Sequence, residues 1–107
     1  MRPNKWEIWL VDMPFEDVAE SKCRPALVID SQNSFVLVGK MTSKPPRNNY
    51  LYEYQMIEWK NAGLSYQTTL RLSKRVKLEL SAFIKKLGVI QPIDQVNVRN
   101  MLHRINS

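Results

Sequence analysis

The 107-residue chain contains one cysteine, one histidine and three glycines, and each scarcity excludes a class of chemistry. Cys23 has no second cysteine for an intramolecular disulfide, and with His103 it provides too few ligands for a Cys/His zinc cluster. Gly39, Gly63 and Gly88 are isolated from one another, so the chain has no glycine-rich phosphate loop for a nucleotide. We therefore expect no zinc cluster of this kind and no nucleotide or other cofactor.

Long apolar runs are also missing. The longest uncharged stretch, residues 61–70, is much shorter than the roughly 18 apolar residues of a membrane-spanning helix. Residues 1–5 lead into a charged amphipathic segment rather than an apolar signal core. With 44% apolar and 24% charged residues the composition is that of a globular domain. We expect one cytoplasmic domain over residues 1–107 with no membrane association.

Acidic residues are scarce in the second part of the chain. The whole sequence has 16 Lys and Arg against 10 Asp and Glu, a net charge of +6. Residues 1–39 hold four basic and six acidic side chains, whereas residues 40–107 hold twelve and four. This asymmetry favours a polyanionic partner such as nucleic acid, or an acidic protein segment. A solvated basic surface explains the same composition, and the charge alone does not decide between them.

Alternation of apolar and polar residues, with many β-branched side chains, predicts five strands, at residues 6–12, 24–30, 34–42, 50–54 and 67–72. A short extension follows at residues 75–78, and a turn is predicted at residues 59–64. Two helices are predicted after the strands, one from Ser81 to a stop at Gly88 and one opened by Pro92. Five strands followed by C-terminal helices indicate a mainly β (α+β) fold, a small barrel or sandwich.

Two arginines and two hydroxyls lie at or near the ends of predicted strands, and they are the candidates for a phosphate site. Arg24 opens the second strand, Thr42 and Ser43 end the third, and Arg71 lies in the fifth. Guanidiniums and hydroxyls together can bind a phosphate through several donors. Each also has a structural explanation, because Thr-Ser before a Pro-rich loop is common turn chemistry and a strand arginine can pair with a first-strand carboxylate.

These residues carry a resemblance to a known family. The chain resembles the MazF/PemK toxins of bacterial toxin-antitoxin systems at residues 7–15, 24–29, 41–43 and 59–64. The Arg-Pro strand combined with Thr-Ser at this spacing is the most specific part of the likeness. The resemblance implies an SH3-like five-stranded barrel with C-terminal helices and a homodimer. It also implies a metal-independent, sequence-selective endoribonuclease that leaves a 2′,3′-cyclic phosphate.

The resemblance also implies roles for particular residues. Arg24 and Thr42 match the family residues that act at the scissile phosphate, and we expect Ser43 and Arg71 to assist them. Basic side chains of the later strands and loops are predicted to bind single-stranded RNA: Lys40, Lys44, Arg47, Lys74 and Arg75. The expected protein partner is a cognate antitoxin with an acidic segment.

Two positions depart from the family pattern. Ser73 stands where some members have an aspartate, and Trp6 stands where the family commonly has glycine. The candidate general bases are therefore Glu16, Asp17 and Glu20, on the loop after the first strand. Two alternatives stay open: a toxin that traps its target without cutting RNA, as a gyrase poison of this fold does, and a catalytically weakened nucleic-acid-binding module, which the missing aspartate suggests.

Overall fold

Strands dominate the fold, as the alternating sequence predicts. The structure is a computed structural model, and it describes residues 2–14, 21–32 and 34–106. These residues contain six strands: β1 Glu7–Pro14, β2 Ser21–Ser31, β3 Val36–Thr42, β4 Glu53–Gln55, β5 Thr69–Leu78 and β6 Phe83–Val89. A short 3₁₀ turn at Leu80–Ala82 precedes β6, and one α-helix, α1, spans Pro92–Asn106. All five predicted strands and the mainly β class are confirmed.

The six strands form one antiparallel sheet in the order β4-β5-β3-β2-β1-β6. Its two edge strands, β4 and β6, do not pair with each other among the described residues, so the sheet is open there. Within the described residues the sheet thus has six strands rather than the five of the expected barrel, it is not closed, and one helix rather than two follows it.

The helix predicted from Ser81 to Gly88 is wrong, because most of this segment is strand β6. β6 pairs along the edge of β1, with Trp9 opposite Lys86 and Leu10 opposite Lys85. The Phe83 ring packs edge-on against Trp9 at 5.9 Å between centroids, and the Lys86 ammonium lies 3.1 Å from the Glu7 carboxylate. An open strand edge with these partners satisfies the backbone of the segment better than an isolated helix of two turns.

Gly88 allows a close backbone contact rather than ending a helix. A Cβ added to Gly88 would lie 2.0 Å from the carbonyl oxygen of Ala62. In return, a Cβ on Gly63, where φ is +97°, would lie 2.1 Å from the carbonyl oxygen of Leu87. The structure confirms the turn predicted at residues 59–64, and the two glycines let β6 lie directly against it.

Each face of the sheet carries a cluster of buried apolar residues. On the face that α1 covers, here called the helix face, the buried residues are Ile8, Leu27, Ile29, Met41, Met56, Ala62, Leu64, Leu70, Leu72, Ile90, Val98 and Leu102. On the opposite face, here called the groove face, they are Trp9, Val11, Met13, Ala26, Val28, Val36, Val38 and Leu78. Successive residues of a strand therefore project to different cores, and this alternation decides where each polar side chain lies.

Helix α1 is attached to the sheet through a buried carboxylate. Asp94, in its first turn, is completely buried and accepts hydrogen bonds from the backbone N–H groups of Ile57 (2.9 Å) and Glu58 (2.8 Å) and from the hydroxyl of Tyr54.

No helix in the described part of the chain has the length and apolar character needed to cross a bilayer.

Candidate functional site

Strand register places the predicted site residues of β2 and β3 on the same face. Ala26 of β2 lies opposite Lys40 of β3. Arg24 lies two residues before Ala26, and Thr42 lies two residues after Lys40. Because side chains alternate with a period of two, Arg24 and Thr42 project to the same face as Ala26 and Lys40. Ala26 belongs to the core of the groove face, so Arg24, Lys40 and Thr42 lie at the end of that face.

A bulge in β5 places Arg71 beside Lys40 on the groove face. Lys40 lies opposite Arg71, but its neighbour Gly39 lies opposite Arg75, so residues 72–74 are extra residues on β5. Such an insertion changes which residues share a face before and after it. Arg71 therefore lines the same cavity as Lys40, whereas Arg75 lines a different cleft on the helix face.

The resulting cavity, here called the strand-end groove, has a volume of about 270 Å³. It is lined by Met13, Arg24, Lys40, Met41, Thr42, Ser43, Lys44 and Arg71. The four predicted catalytic residues therefore line one groove, together with two of the predicted RNA-binding lysines. Four cations and two hydroxyls around so small a space suit a phosphate diester.

The strand-end groove continues into a second cavity of about 430 Å³ beside Arg24, Thr42 and Ser43. Its walls are more apolar, and they include Tyr66, whose side chain is 73% exposed. Lys85 of β6 also lines it. An exposed tyrosine and a lysine next to the cationic strand-end groove have the chemistry that suits a nucleobase and a backbone phosphate of a nucleic acid strand.

The Thr42 hydroxyl makes a turn contact and also lines the strand-end groove. Its Oγ1 accepts a hydrogen bond from the backbone N–H of Lys44 at 3.3 Å, which is the turn chemistry expected before a Pro-rich loop. A hydroxyl that accepts through a lone pair can still donate its own proton to a ligand oxygen. The turn contact thus holds Thr42 at the groove without preventing it from binding a phosphate.

Three of the predicted RNA-binding residues do not line the strand-end groove. Lys74 is exposed in the bulge of β5, and Arg75 lines the separate cleft on the helix face. The Arg47 guanidinium binds Glu53 and lies 3.5 Å from the centre of the Tyr50 ring. The candidate bases Glu16, Asp17 and Glu20 lie outside the described residues.

Glu53 is a site residue that the sequence reasoning missed. Its side chain is only 1% exposed, and it accepts hydrogen bonds from the backbone N–H (2.9 Å) and the Nε (3.0 Å) of Arg47. It also lies 3.4 Å from the Nε of Arg71, its partner across the β4–β5 ladder. Because that buried Nε has no hydrogen-bond acceptor among the described residues, Glu53 holds Arg71 by charge attraction.

The environment of Glu53 gives a testable pH dependence. The hydrogen bond from the Arg47 side chain, with smaller contributions from the Arg47 backbone and the Arg71 charge, lowers the pKa of Glu53 below its ordinary value of 4.5, although burial opposes the shift. The stabilisation is therefore present above pH 4.5 and is lost as the pH falls through the lower native pKa. We expect Glu53→Gln to lower the urea midpoint at pH 7 by roughly 0.5–1 M, and the difference from wild type to shrink toward pH 3.

Equilibrium urea unfolding of both proteins at several pH values measures this difference. Glu58→Gln is the matched control, since Glu58 contacts the exposed Asn61 side chain rather than two arginines. A constant gap between wild type and Glu53→Gln from pH 7 to pH 3 would contradict the proposed ionisation of Glu53.

Metal-ligand clusters do not form in the part of the chain that the structure describes. Among residues 2–14, 21–32 and 34–106, no three His, Cys, Asp or Glu side chains lie together in a position to hold an ion. The polar side chains that line the strand-end groove are cationic or hydroxylic.

The fold and the groove define a small, mainly β protein whose cationic, hydroxyl-lined groove suits a phosphate-containing ligand. The model of the PemK-like, MazF-like toxins of type II toxin-antitoxin systems matches residues 4–105, nearly the whole chain, and the chain belongs to this family. The family resemblance inferred from the sequence is confirmed. No curated protein sequence matches the chain significantly. Membership of a type II toxin family implies a cognate antitoxin as partner.

Proposed function

We propose that this chain is a metal-independent, sequence-selective endoribonuclease toxin that cuts single-stranded RNA in the cytoplasm. The observation that carries the proposal is the grouping of Arg24, Thr42, Ser43 and Arg71 around one groove. Family membership supports the same activity. We further propose that the active form is a homodimer and that the antitoxin carries an acidic segment.

The reaction requires little covalent chemistry from the protein, because RNA contains its own nucleophile. The 2′-oxygen loses its proton and bonds to the adjacent phosphorus, the bond from phosphorus to the 5′-oxygen breaks, and that oxygen takes a proton. The products are a 2′,3′-cyclic phosphate and a 5′-hydroxyl. The main contribution of the protein is to align the 2′-oxygen with the leaving oxygen and to stabilise the charge that develops on the phosphate oxygens.

We assign that stabilisation to the two guanidiniums and the two hydroxyls. Arg24 and Arg71 supply positive charge and N–H donors to the non-bridging oxygens, and Thr42 and Ser43 supply O–H donors. Arginine stays protonated in proteins, so Arg24 acts as a charge stabiliser and can direct a proton to the leaving 5′-oxygen rather than accept one. We propose a carboxylate among Glu16, Asp17 and Glu20 as the base for the 2′-hydroxyl.

Purified protein incubated with single-stranded RNA in excess EDTA tests the proposal. We expect cleavage at a restricted set of sequences, with 2′,3′-cyclic phosphate and 5′-hydroxyl ends in end mapping. The pH–rate profiles of Glu16→Gln, Asp17→Asn and Glu20→Gln then identify the base, because the profile loses its acidic limb when the base is removed. Cleavage only with added metal would contradict the mechanism. Intact RNA with altered DNA supercoiling would favour a gyrase-type trap, and RNA binding without turnover would favour a weakened binding module.

A further inference from the structure

A second cationic cavity, here called the helix-side cleft, lies on the opposite face of the sheet from the strand-end groove. Its volume is about 410 Å³. The floor is apolar and consists of Ile29, Leu37 and Leu102, from β2, β3 and α1. Arg24 lines the groove and Asp30 lines the cleft, and these residues lie about 20 Å apart along β2. None of the residues assigned to RNA cleavage lines it.

The rim of the helix-side cleft is strongly basic. Lys5, Arg75, Arg99 and His103 line it together with one carboxylate, Asp30. The carboxylate already accepts a hydrogen bond from a neighbouring glutamine side chain at 2.6 Å. The exposed rim therefore carries excess positive charge above an apolar floor, a combination that complements a ligand with both carboxylates and an apolar side chain.

Trp6 lines the same cleft in a strained backbone conformation. Its φ is +76°, a left-handed value that is sterically unfavourable for a bulky residue and free of that strain for glycine. Sheet contacts fix this conformation, because the Trp6 N–H donates to Val28 at 2.8 Å and the Trp6 carbonyl accepts from Ile90 at 3.0 Å. The chain thus keeps an indole where the resemblance leads one to expect glycine.

The indole of Trp6 is already engaged by cations. The Lys5 ammonium lies 5.2 Å from the ring centre and the Arg99 guanidinium 5.9 Å. These contacts hold two rim cations over the aromatic ring, where they can still bind a carboxylate. A nucleobase would need to displace them in order to stack on Trp6. The arrangement thus favours an acidic peptide over a nucleic acid strand.

We propose that the helix-side cleft binds an acidic segment of the antitoxin that anchors an apolar side chain on the floor formed by Ile29, Leu37 and Leu102. This inference rests on the antitoxin partnership of the family and not on RNA cleavage. It separates the two anionic partners: RNA occupies the strand-end groove, and the antitoxin segment holds the toxin on the opposite face. Arg75, predicted from the sequence to bind RNA, then binds the antitoxin.

Two labelled probes and two matched variants test the proposal by fluorescence anisotropy at low salt. One probe is a dodecapeptide of glutamate and aspartate with two leucines, and the other is a single-stranded oligoribonucleotide with 2′-O-methyl riboses, which cannot be cleaved by 2′-hydroxyl attack. Arg99→Glu and Lys44→Glu each reverse one exposed positive charge, the first in the cleft and the second in the groove. We expect Arg99→Glu to weaken peptide binding about tenfold or more, with oligonucleotide binding within about twofold of wild type. Lys44→Glu should have the opposite pattern.

Several results would overturn the proposal: no peptide binding by the wild-type protein, equal weakening of the peptide by both variants, or weakening of the oligonucleotide by Arg99→Glu. The last result would make the cleft a nucleic acid site. Because neither probe is cleaved, peptide binding is measured independently of nuclease activity, and a failure of the proposed function would leave it unchanged.

A further variant, Trp6→Gly, tests the indole itself. Glycine adopts the left-handed conformation without strain, so the backbone contacts of position 6 are expected to persist, which circular dichroism checks. We expect peptide binding to weaken about fivefold, since the ring no longer holds Lys5 and Arg99 in place. Unchanged binding by a folded Trp6→Gly protein would overturn the role of the indole in the cleft.

Discussion

Replacement of Arg24 by alanine is expected to lower the rate constant for RNA cleavage about 10³-fold while leaving the fold intact. Arg24 is exposed at the strand-end groove, so its removal opens no cavity in the core. The loss removes a cation beside the phosphate, where charge develops in the transition state, and losing one such donor typically costs two to three orders of magnitude. Single-turnover cleavage of an RNA with one site measures the rate, and circular dichroism checks the fold.

Arg99→Ala is the matched control, because it removes the same side chain and charge from the opposite face of the sheet. We expect its cleavage rate to stay within about twofold of wild type. Arg24→Lys keeps the charge but loses the planar pair of donors, so an intermediate loss of about 10- to 100-fold is expected. Equal losses in Arg24→Ala and Arg99→Ala would show that total charge, and not the position of Arg24, controls cleavage.

The sequence predicted the strands that carry the candidate site, but it did not predict their register. Arg24, Thr42 and Arg71 were recognisable as donors at or near strand ends, yet their meeting depends on Ala26 lying opposite Lys40 and Lys40 opposite Arg71. The second pairing depends on the bulge at residues 72–74. Nothing in the alternation of β5 marks where such a bulge occurs, so the separation of Arg71 from Arg75 became visible only in three dimensions.

Contacts between residues far apart in the sequence explain two other differences between the sequence predictions and the structure. The segment at residues 83–89 has apolar residues at helical spacing, but it forms a strand because β1 offers an open edge, and in its N-terminal half Trp9 packs against Phe83. Glu53 looked like an ordinary strand carboxylate because both arginines that it binds become neighbours only through folding. In each case a tertiary contact outweighed the local pattern.

Replacement of Asp94 by alanine is expected to destabilise the protein by about 3–4 kcal/mol, the largest stability effect among these predictions. Three donors lose their buried acceptor: the partly buried backbone N–H groups of Ile57 and Glu58 and the hydroxyl of Tyr54. Each unsatisfied buried group costs on the order of 1 kcal/mol or more, and the first turn of α1 also loses a favourable negative charge. For a domain of this size, such a loss lowers the melting temperature by roughly 12–25 °C in calorimetry.

Asp12→Ala provides the control, since this exposed carboxylate should change stability by no more than about 0.5 kcal/mol. A second measurement identifies the contact itself. Burial, and to a smaller extent the hydrogen bond to Asp94, raise the pKa of Tyr54 to about 12. The stabilisation that depends on the protonated Tyr54 hydroxyl is therefore present below pH 10 and is lost as the pH rises through 12. In Asp94→Ala the ultraviolet absorbance titration of Tyr54 should move to lower pH. An unchanged titration together with a small loss of stability would mean that Asp94 does not hold α1 to the sheet.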